Sequence, residues 1–329
     1  MSRSSELARV AALRARFAAE GGSPKGVRVG IGDDAAVLEM LGAAQGSALV
    51  WTVDAQVDGT HFRTDWASWE DIGWRSFMAA ASDLAAMGAE PAFALSSLVL
   101  APSVDDEALD ALTRGQAAAA SAVGAPVVGG NLARGTETSI TTTLLGRAAA
   151  PVLRSGALPG DGLWLAGPVG LAGVGLDLVA KNMQSARMQD AYTFPCVQAW
   201  RRPVARIADG RCLAGVAHAA IDLSDGLAHD AWQLAQASGV RLVLDLASVL
   251  AAGGEALVAG AAVSGGDPAE YALFGGEDYA LLAAGPRALP GFLQIGTVEA
   301  HPEGARARVL VKTARGTVDI EPRGFDHFT

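Results

Sequence analysis

Val50-Trp51-Thr52-Val53-Asp54-Ala55-Gln56-Val57-Asp58-Gly59-Thr60-His61-Phe62 is the stretch on which the reading of the chain turns. Leu49 to Val53 is an apolar, β-branched run and reads as a buried strand. Asp54 ends that run, Asp58-Gly59 offers a turn, and His61 follows beside Phe62. A carboxylate at the end of a buried strand is poorly solvated unless a positive charge meets it. Asp54 therefore either caps a turn, with His61 an ordinary rim residue, or faces a cation such as a divalent metal.

Further acids sit in similar surroundings. The extended run Val27–Gly32 delivers Asp33-Asp34, adjacent carboxylates that repel each other unless solvated or bridged by a cation. Glu70–Met87 has a helical pattern, with acids in its first turn and Gly88 as its stop. Asp83 lies deep in that helix among small residues, with no other charge nearby. Asp222 interrupts the apolar run Ala219–Leu223, and Ser224-Asp225-Gly226 then opens a helix to Ala237. Two glycine pairs also follow or precede strands. Gly129-Gly130-Asn131 follows a short strand at Val127-Val128, where backbone N–H groups can approach a phosphate or simply turn. Gly275-Gly276-Glu277-Asp278 opens a strand expected over Tyr279–Ala283.

The remaining pattern predicts a first helix over Glu6–Ala19, a strand over Ala92–Leu100, a helix over Asp105–Val123 and a Thr-rich strand over Ser139–Leu145. The Pro- and Gly-bearing stretch Arg147–Pro159 divides the chain into residues 1–150 and 151–329. Beyond it come a strand at Leu163–Ala166, a glycine-led helix ending near Ala180, a helix over Val204–Ala217 and a strand over Arg241–Leu246. Lys181–Arg202 has a mixed pattern that fits neither state. The long apolar strands around Ser47–Val53 and Ala92–Leu100 would be a liability as free edges, which predicts a symmetric dimer.

A chain of 329 residues, half of them hydrophobic, supports about two domains. The net charge of −10 without a long basic run argues against nucleic-acid and anionic-membrane binding. Cys196 and Cys212 form neither a disulfide framework nor a zinc site by their spacing. The apolar runs look too short and broken to span a membrane, and the N-terminus lacks a signal-peptide core, so a cytoplasmic location is expected.

The repetition of acids beside Gly, Ser and Ala is the informative feature. Such hard oxygen ligands suit Mg²⁺ shared with substrate phosphates, and phosphoryl transfer needs positioning and charge neutralisation above all. The chain has neither a Walker-type glycine-lysine loop nor a protein-kinase catalytic loop.

Together, Gly30–Ala36, Val53–Phe62, Ser82–Gly88, Gly129–Gly135, Arg154–Ala157, Asp222–Gly226, Gly275–Tyr279 and Gly324–Phe328 resemble the thiamine-monophosphate kinases. That family shares a superfamily with aminoimidazole ribonucleotide synthetase, selenophosphate synthetase and a hydrogenase-maturation protein. The resemblance runs over essentially the whole chain. It implies an α+β chain of two domains, an N-terminal α/β domain whose sheet pairs in a homodimer and a C-terminal α+β domain. It also implies transfer of the γ-phosphoryl group of ATP to thiamine monophosphate without a catalytic side chain.

Carried over by position, Asp33, Asp34, Thr52, Asp54, Asp83, Asn131, Asp222 and Asp225 are implied Mg²⁺ ligands, with Val53 contributing through its backbone. Which of Asp33 and Asp34 is the closer ligand stays open. Gly130, Asn131, Arg154 and Ser224 are implied ATP contacts, and His61, Glu277 and Phe325 the thiamine-phosphate site. The chain departs from the family pattern at Asn131, usually Asp, at Phe325, often a larger or hydroxylated aromatic, and at Asp58, often Glu. Asn131 keeps a carbonyl oxygen but loses a charge. The chain lacks the N-terminal reactive Cys of selenophosphate synthetase and the Cys tail of the hydrogenase-maturation type. A catalytically silent nucleotide-binding homologue is the alternative that Asn131 favours.

Overall fold

A computed structural model describes residues 26–30, 32–39, 48–181, 190–301 and 309–325, with Ala11 and Ala15. The helix expected over 6–19 falls outside these residues, apart from Ala11 and Ala15, which are helical.

The described part of the first half is a six-stranded sheet covered by two helices. Its strands are β1 (Val27–Val29), β2 (Ala36–Glu39), β3 (Ala48–Val57), β4 (Glu90–Leu100), β5 (Val127–Arg134) and β6 (Ser139–Ala148). They lie in the order β1-β2-β3-β6-β4-β5, antiparallel except for the parallel pair β4–β5. β3 and β4 are thus interior strands, and the expectation that they are free edges does not hold. What they expose is a face. Trp51, Leu145 and Phe93 form one cross-strand row and Val53, Thr143 and Leu95 the next. Trp51, Val53, Phe93 and Leu95 are exposed there.

The other face of this sheet carries α1 (Trp69–Ala86) and α2 (Asp106–Val123). The two helices approach closely because each places a glycine at the contact. A Cβ on Gly73 would overlap the Leu112 carbonyl, and one on Gly115 the Glu70 carbonyl. β5 was expected to stop at Val128, yet it continues to Arg134 through the glycine pair. Gly130 lies so close to the backbone of Ser96 that any side chain would collide with it, which lets the outer strand pair fully.

Among the described residues, the second half is built on a seven-stranded sheet. Its strands are β7 (Gly162–Ala166), β8 (Ala219–Asp222), β9 (Arg241–Asp245), β10 (Leu281–Gly285), β11 (Leu293–Glu299), β12 (Val309–Thr313) and β13 (Gly316–Ile320). Their order is β13-β12-β9-β11-β7-β10-β8. Its helices are α3 (Leu171–Ala180), α4 (Thr193–Arg201), α5 (Ile207–Arg211), α6 (Leu227–Ser238), α7 (Leu246–Ser264) and α8 (Pro268–Phe274).

Four local expectations are corrected. The strand read as ending at Asp54 continues to Val57, because its pairing with β6 runs on through Val57 opposite Ser139. Of 204–217 only α5 is an α-helix: Gly210 packs against the Ala85 backbone, and Gly215 turns the chain at φ 71°. The strand expected from Tyr279 starts at Leu281, because Glu277 and Tyr279 hold φ values of 66° and 48°. Finally, α7 is long and apolar enough to cross a membrane by length and composition, against the expectation that no stretch approaches this. Glu255 lies within it, Gly254 breaks its backbone at φ 65° and ψ −162°, and Val249, Leu257 and Ala261 are buried.

α1 joins the two halves. It packs on β3 and β6 of its own sheet and also on β8, α5 and α4 of the second half.

Candidate active site

The alternation of β3 turns Thr52 and Gln56, with Asp54 between them, toward α1, while Trp51 and Val53 project from the opposite face. Any part Val53 plays at the site is therefore through its backbone. The Thr52 hydroxyl donates to the carboxylate of Asp83 on α1, and Gln56 Nε2 donates to Asp54 Oδ1 at 3.2 Å. One residue before Asp83, Ser82 donates from Oγ to Asp222 Oδ2 at 2.6 Å, reaching the end of β8 in the other half. Asp34, beside the start of β2, completes the group: carboxylate oxygens of Asp34, Asp83 and Asp222 lie within 4.8 Å of one another. Three segments distant in sequence thus deliver three acids to one point.

The electrostatics are those of crowded, buried carboxylates. Burial first, then the neighbouring Arg154 acting against it, leaves the Asp34 carboxyl raised to about 6. Burial and then the other acids push Asp83 and Asp222 well above the ordinary carboxylate range. Arg154 is the counter-charge. It donates from Nε to Asp34 Oδ1 at 2.7 Å, pairs with the same oxygen through Nη2, and donates from Nη1 to Gln233 Oε1 at 2.9 Å.

Of the acidic pair, Asp34 enters the group. The Asp33 carboxylate instead accepts from the backbone N–H of Asp34 at 3.0 Å and of Arg154 at 3.3 Å.

Other implied site residues fall outside this three-acid group, although Asp230 is near enough to raise the carboxyls of Asp34 and Asp222. Asp225 groups with His229 and Asp230, and Asp230 Oδ2 accepts from the N–H of Asp225 and Gly226. Ser224 accepts the Glu277 N–H at its carbonyl, 2.7 Å away. Asn131 and Gly130 lie on the outer strand β5. Sheet register puts Asp54, Thr142, Ser96 and Gly130 in one row, so Gly130 is about 14 Å from Asp54 at ordinary strand spacing. Beside Gly130, between α2 and β4–β5, opens a groove of about 860 Å³ lined by Thr113, Gln116, Gly129, Gly130 and Asn131 among others.

His61 and Phe325, far apart in sequence, have ring centroids 6.4 Å apart. His61 Nδ1 accepts the Val57 N–H at 3.0 Å, so in the neutral ring the proton sits on Nε2. Glu277 is engaged by groups that motif reading missed. Arg75 pairs with one carboxylate oxygen, and Trp200 Nε1 donates to the other at 2.7 Å. Arg75 did carry a signal, as a lone cation amid the apolar residues of a helix, three residues from Ile72 and Met78. Trp200 and Gln233 carried none.

An all-oxygen set of buried carboxylates suits a hard divalent cation. The fit is supported by Asp34 Oδ2, which is buried and accepts no hydrogen bond.

The domain family described as AIR synthase related protein, N-terminal domain, matches residues 32–148. A thiamine-monophosphate kinase of Mycobacterium tuberculosis is 36% identical over 293 residues, spanning 88% of this chain and 83% of that protein. The thiamine-monophosphate kinase of Aquifex aeolicus is 33% identical over 91% of this chain and 92% of its own length. The fold superposes on AaThiL complexed with AMPPCP and TMP with a TM-score of 0.86 and 30% sequence identity, covering 98% of this chain and 97% of the other. Sequence likeness and fold likeness both extend across the two halves that build the carboxylate site, and the chain belongs to the thiamine-monophosphate kinase family.

Proposed function

We propose that this chain transfers the γ-phosphoryl group of ATP to thiamine monophosphate, giving thiamine diphosphate and ADP. The observation that carries the reading is the convergence of Asp34, Asp83 and Asp222 from both halves of a chain of this family. These three, with Thr52 and Asp54 beside them, would hold Mg²⁺. When bound, Mg²⁺ supplies charge neutralisation between two polyanionic substrates. The protein's own part is positional. Arg154 fixes Asp34, Ser82 fixes Asp222, and Thr52 fixes Asp83. The groove beside Gly130 and Asn131 is the proposed seat of the nucleotide.

The acceptor is a phosphate oxygen that is already anionic, so no general base is required and direct in-line transfer is the simplest course. His61 offers Nε2–H as a donor to the acceptor phosphate, and Phe325 beside it offers a ring face for stacking. Glu277 lies at the far end of the acceptor. Residues 1–150 act as the nucleotide- and Mg²⁺-binding and dimerisation half, and 151–329, which contribute Asp222, complete the nucleotide and substrate site. A homodimer formed through the exposed face around Trp51, Val53, Phe93 and Leu95 is part of the same proposal, since contiguous apolar surface of this kind marks an interface.

The test is ADP formation with thiamine monophosphate, thiamine and aminoimidazole precursors as acceptors, in the presence of ATP and Mg²⁺. Turnover with thiamine monophosphate alone is expected. Turnover with an aminoimidazole precursor in its place, or with none, would overturn the reading.

A further inference from the structure

Glu277 stands at a strained point of the chain. It has φ 66°, and Tyr279 two residues on has φ 48°, positions unfavourable for side chains of this bulk. Its backbone N–H is held by Ser224, and its carboxylate by two groups from other elements. Arg75 comes from α1 and is 1% exposed. Its guanidinium pairs with Glu277, donates from Nη1 to the Trp200 carbonyl at 2.6 Å, and lies 4.5 Å from the centre of the Trp200 ring. Trp200, also 1% exposed, returns its indole N–H to Glu277. Three side chains from α1, α4 and the loop before β10 close a ring. Arg75 Nε is left buried without an acceptor. Ion pairs shielded in this way are often no more stabilising than apolar side chains of similar volume, so stability alone is a weak account of the ring.

α1 also carries Asp83 eight residues further on, about 12 Å along the helix axis. One rigid element therefore sets the spacing between the carboxylate cluster and Glu277.

The pairing changes what Glu277 presents. A bare carboxylate would attract any cationic ring. Paired with a buried guanidinium, its charge is compensated, and what remains is the set of lone pairs not used by Arg75 and Trp200. We propose that Arg75 and Trp200 are positioning residues that hold Glu277 as a charge-compensated hydrogen-bond acceptor, so that the site selects a ring bearing an N–H donor at a fixed distance from its phosphate. This rests on the proposed reaction, in which the acceptor carries an aminopyrimidine as well as a cationic thiazolium. Selection is by the amino group, while the thiazolium charge contributes little through Glu277.

The experiment compares thiamine monophosphate with oxythiamine monophosphate, which keeps the thiazolium charge but has oxygen in place of the pyrimidine amino group. It uses full-length wild type, Trp200→Phe and Arg75→Lys, with kcat, KM for each acceptor, KM for ATP and thermal midpoint measured for all. Wild type should prefer the amino compound by roughly tenfold or more in kcat/KM, the order expected of one hydrogen bond to a charged acceptor. Trp200→Phe keeps a ring but not the N–H. It should raise KM for thiamine monophosphate about tenfold and reduce the preference, leaving kcat and KM for ATP near wild type. Arg75→Lys, which keeps the charge, should retain more of the preference than Trp200→Phe.

Equal use of both acceptors by wild type would overturn the proposal while leaving the reaction standing. An unchanged preference in Trp200→Phe, or a parallel rise in KM for ATP with a lowered midpoint, would reduce the ring to a structural role and also overturn it. No ADP with either acceptor would remove the reaction and this inference together.

Discussion

Ser82 and Asp222, 140 residues apart, are joined by a 2.6 Å hydrogen bond that crosses from α1 to the end of β8. Both residues are buried, so the carboxylate has little recourse to water if the hydroxyl is lost. Ser82→Ala is expected to lower stability by about 1.5–3 kcal/mol and kcat/KM about tenfold, with no change in fold. Denaturant unfolding and the ADP assay measure the two effects. Wild-type values for both would show that Asp222 needs no support from α1.

The carboxylate group should trade stability for activity. Three acids crowded at one point destabilise the metal-free protein, so Asp83→Asn should leave the thermal midpoint equal or higher in EDTA. It should lower turnover roughly a hundredfold to a thousandfold, the scale of losing one preorganised charged group. Mg²⁺ should raise the midpoint of wild type and have a weaker effect on the variant. Full activity in Asp83→Asn would remove Asp83 from the metal set.

Asp278 gives the fold a pH dependence that is separable from the cluster. It accepts from the N–H groups of Gly170 and Ala172 at the start of α3, at 2.5 and 3.0 Å. Burial nevertheless raises its carboxyl to about 7, those two bonds offsetting only part of the effect. Between about 4 and about 7 the folded state thus keeps a proton that the unfolded chain has released. The stability contributed by this group falls as pH rises through that window, by a few kcal/mol at most. Asp278→Asn should flatten the fall, read as thermal midpoint against pH. Identical slopes for the two proteins would refute the assignment.

The exposed face of the first sheet predicts self-association. Val53→Asp and Phe93→Asp place charges in adjacent cross-strand rows of that face without touching α1. Each should shift the mass measured by light scattering from two chains to one at micromolar concentration. A wild-type monomer would contradict the dimer, and unaltered dimers in both variants would place the interface elsewhere.

The strands and long helices were legible because hydrophobic period reports burial directly. α1 and α2 lie within two residues of where periodicity puts them, whereas β3 starts one residue early and runs four residues beyond Val53, because the polar residues Asp54 and Gln56 face α1 without breaking the pairing with β6. The acids of the cluster were legible as charges in unsuitable places: Asp83 among alanines, Asp222 inside an apolar run. Sheet order was not legible. Whether β3 is an edge depends on β6 inserting between it and β4, a long-range pairing that leaves no local trace. Partners such as Trp200 for Glu277 were hidden for the same reason, since an indole that packs and an indole that also donates look alike in sequence. The family likeness located Glu277 without revealing what holds it.

The approach of Gly73 and Gly115 fixes α1 against α2, while Arg75, Ser82 and Asp83 on the same helix are completed by groups from the other half. The segment that matches a recognised domain family, residues 32–148, is accordingly a unit of descent but not a unit of assembly. Severed from the remainder, it would carry a guanidinium and a carboxylate into open solvent where the intact chain encloses them. Shuffling such a half between proteins requires carrying the partner surface along with it.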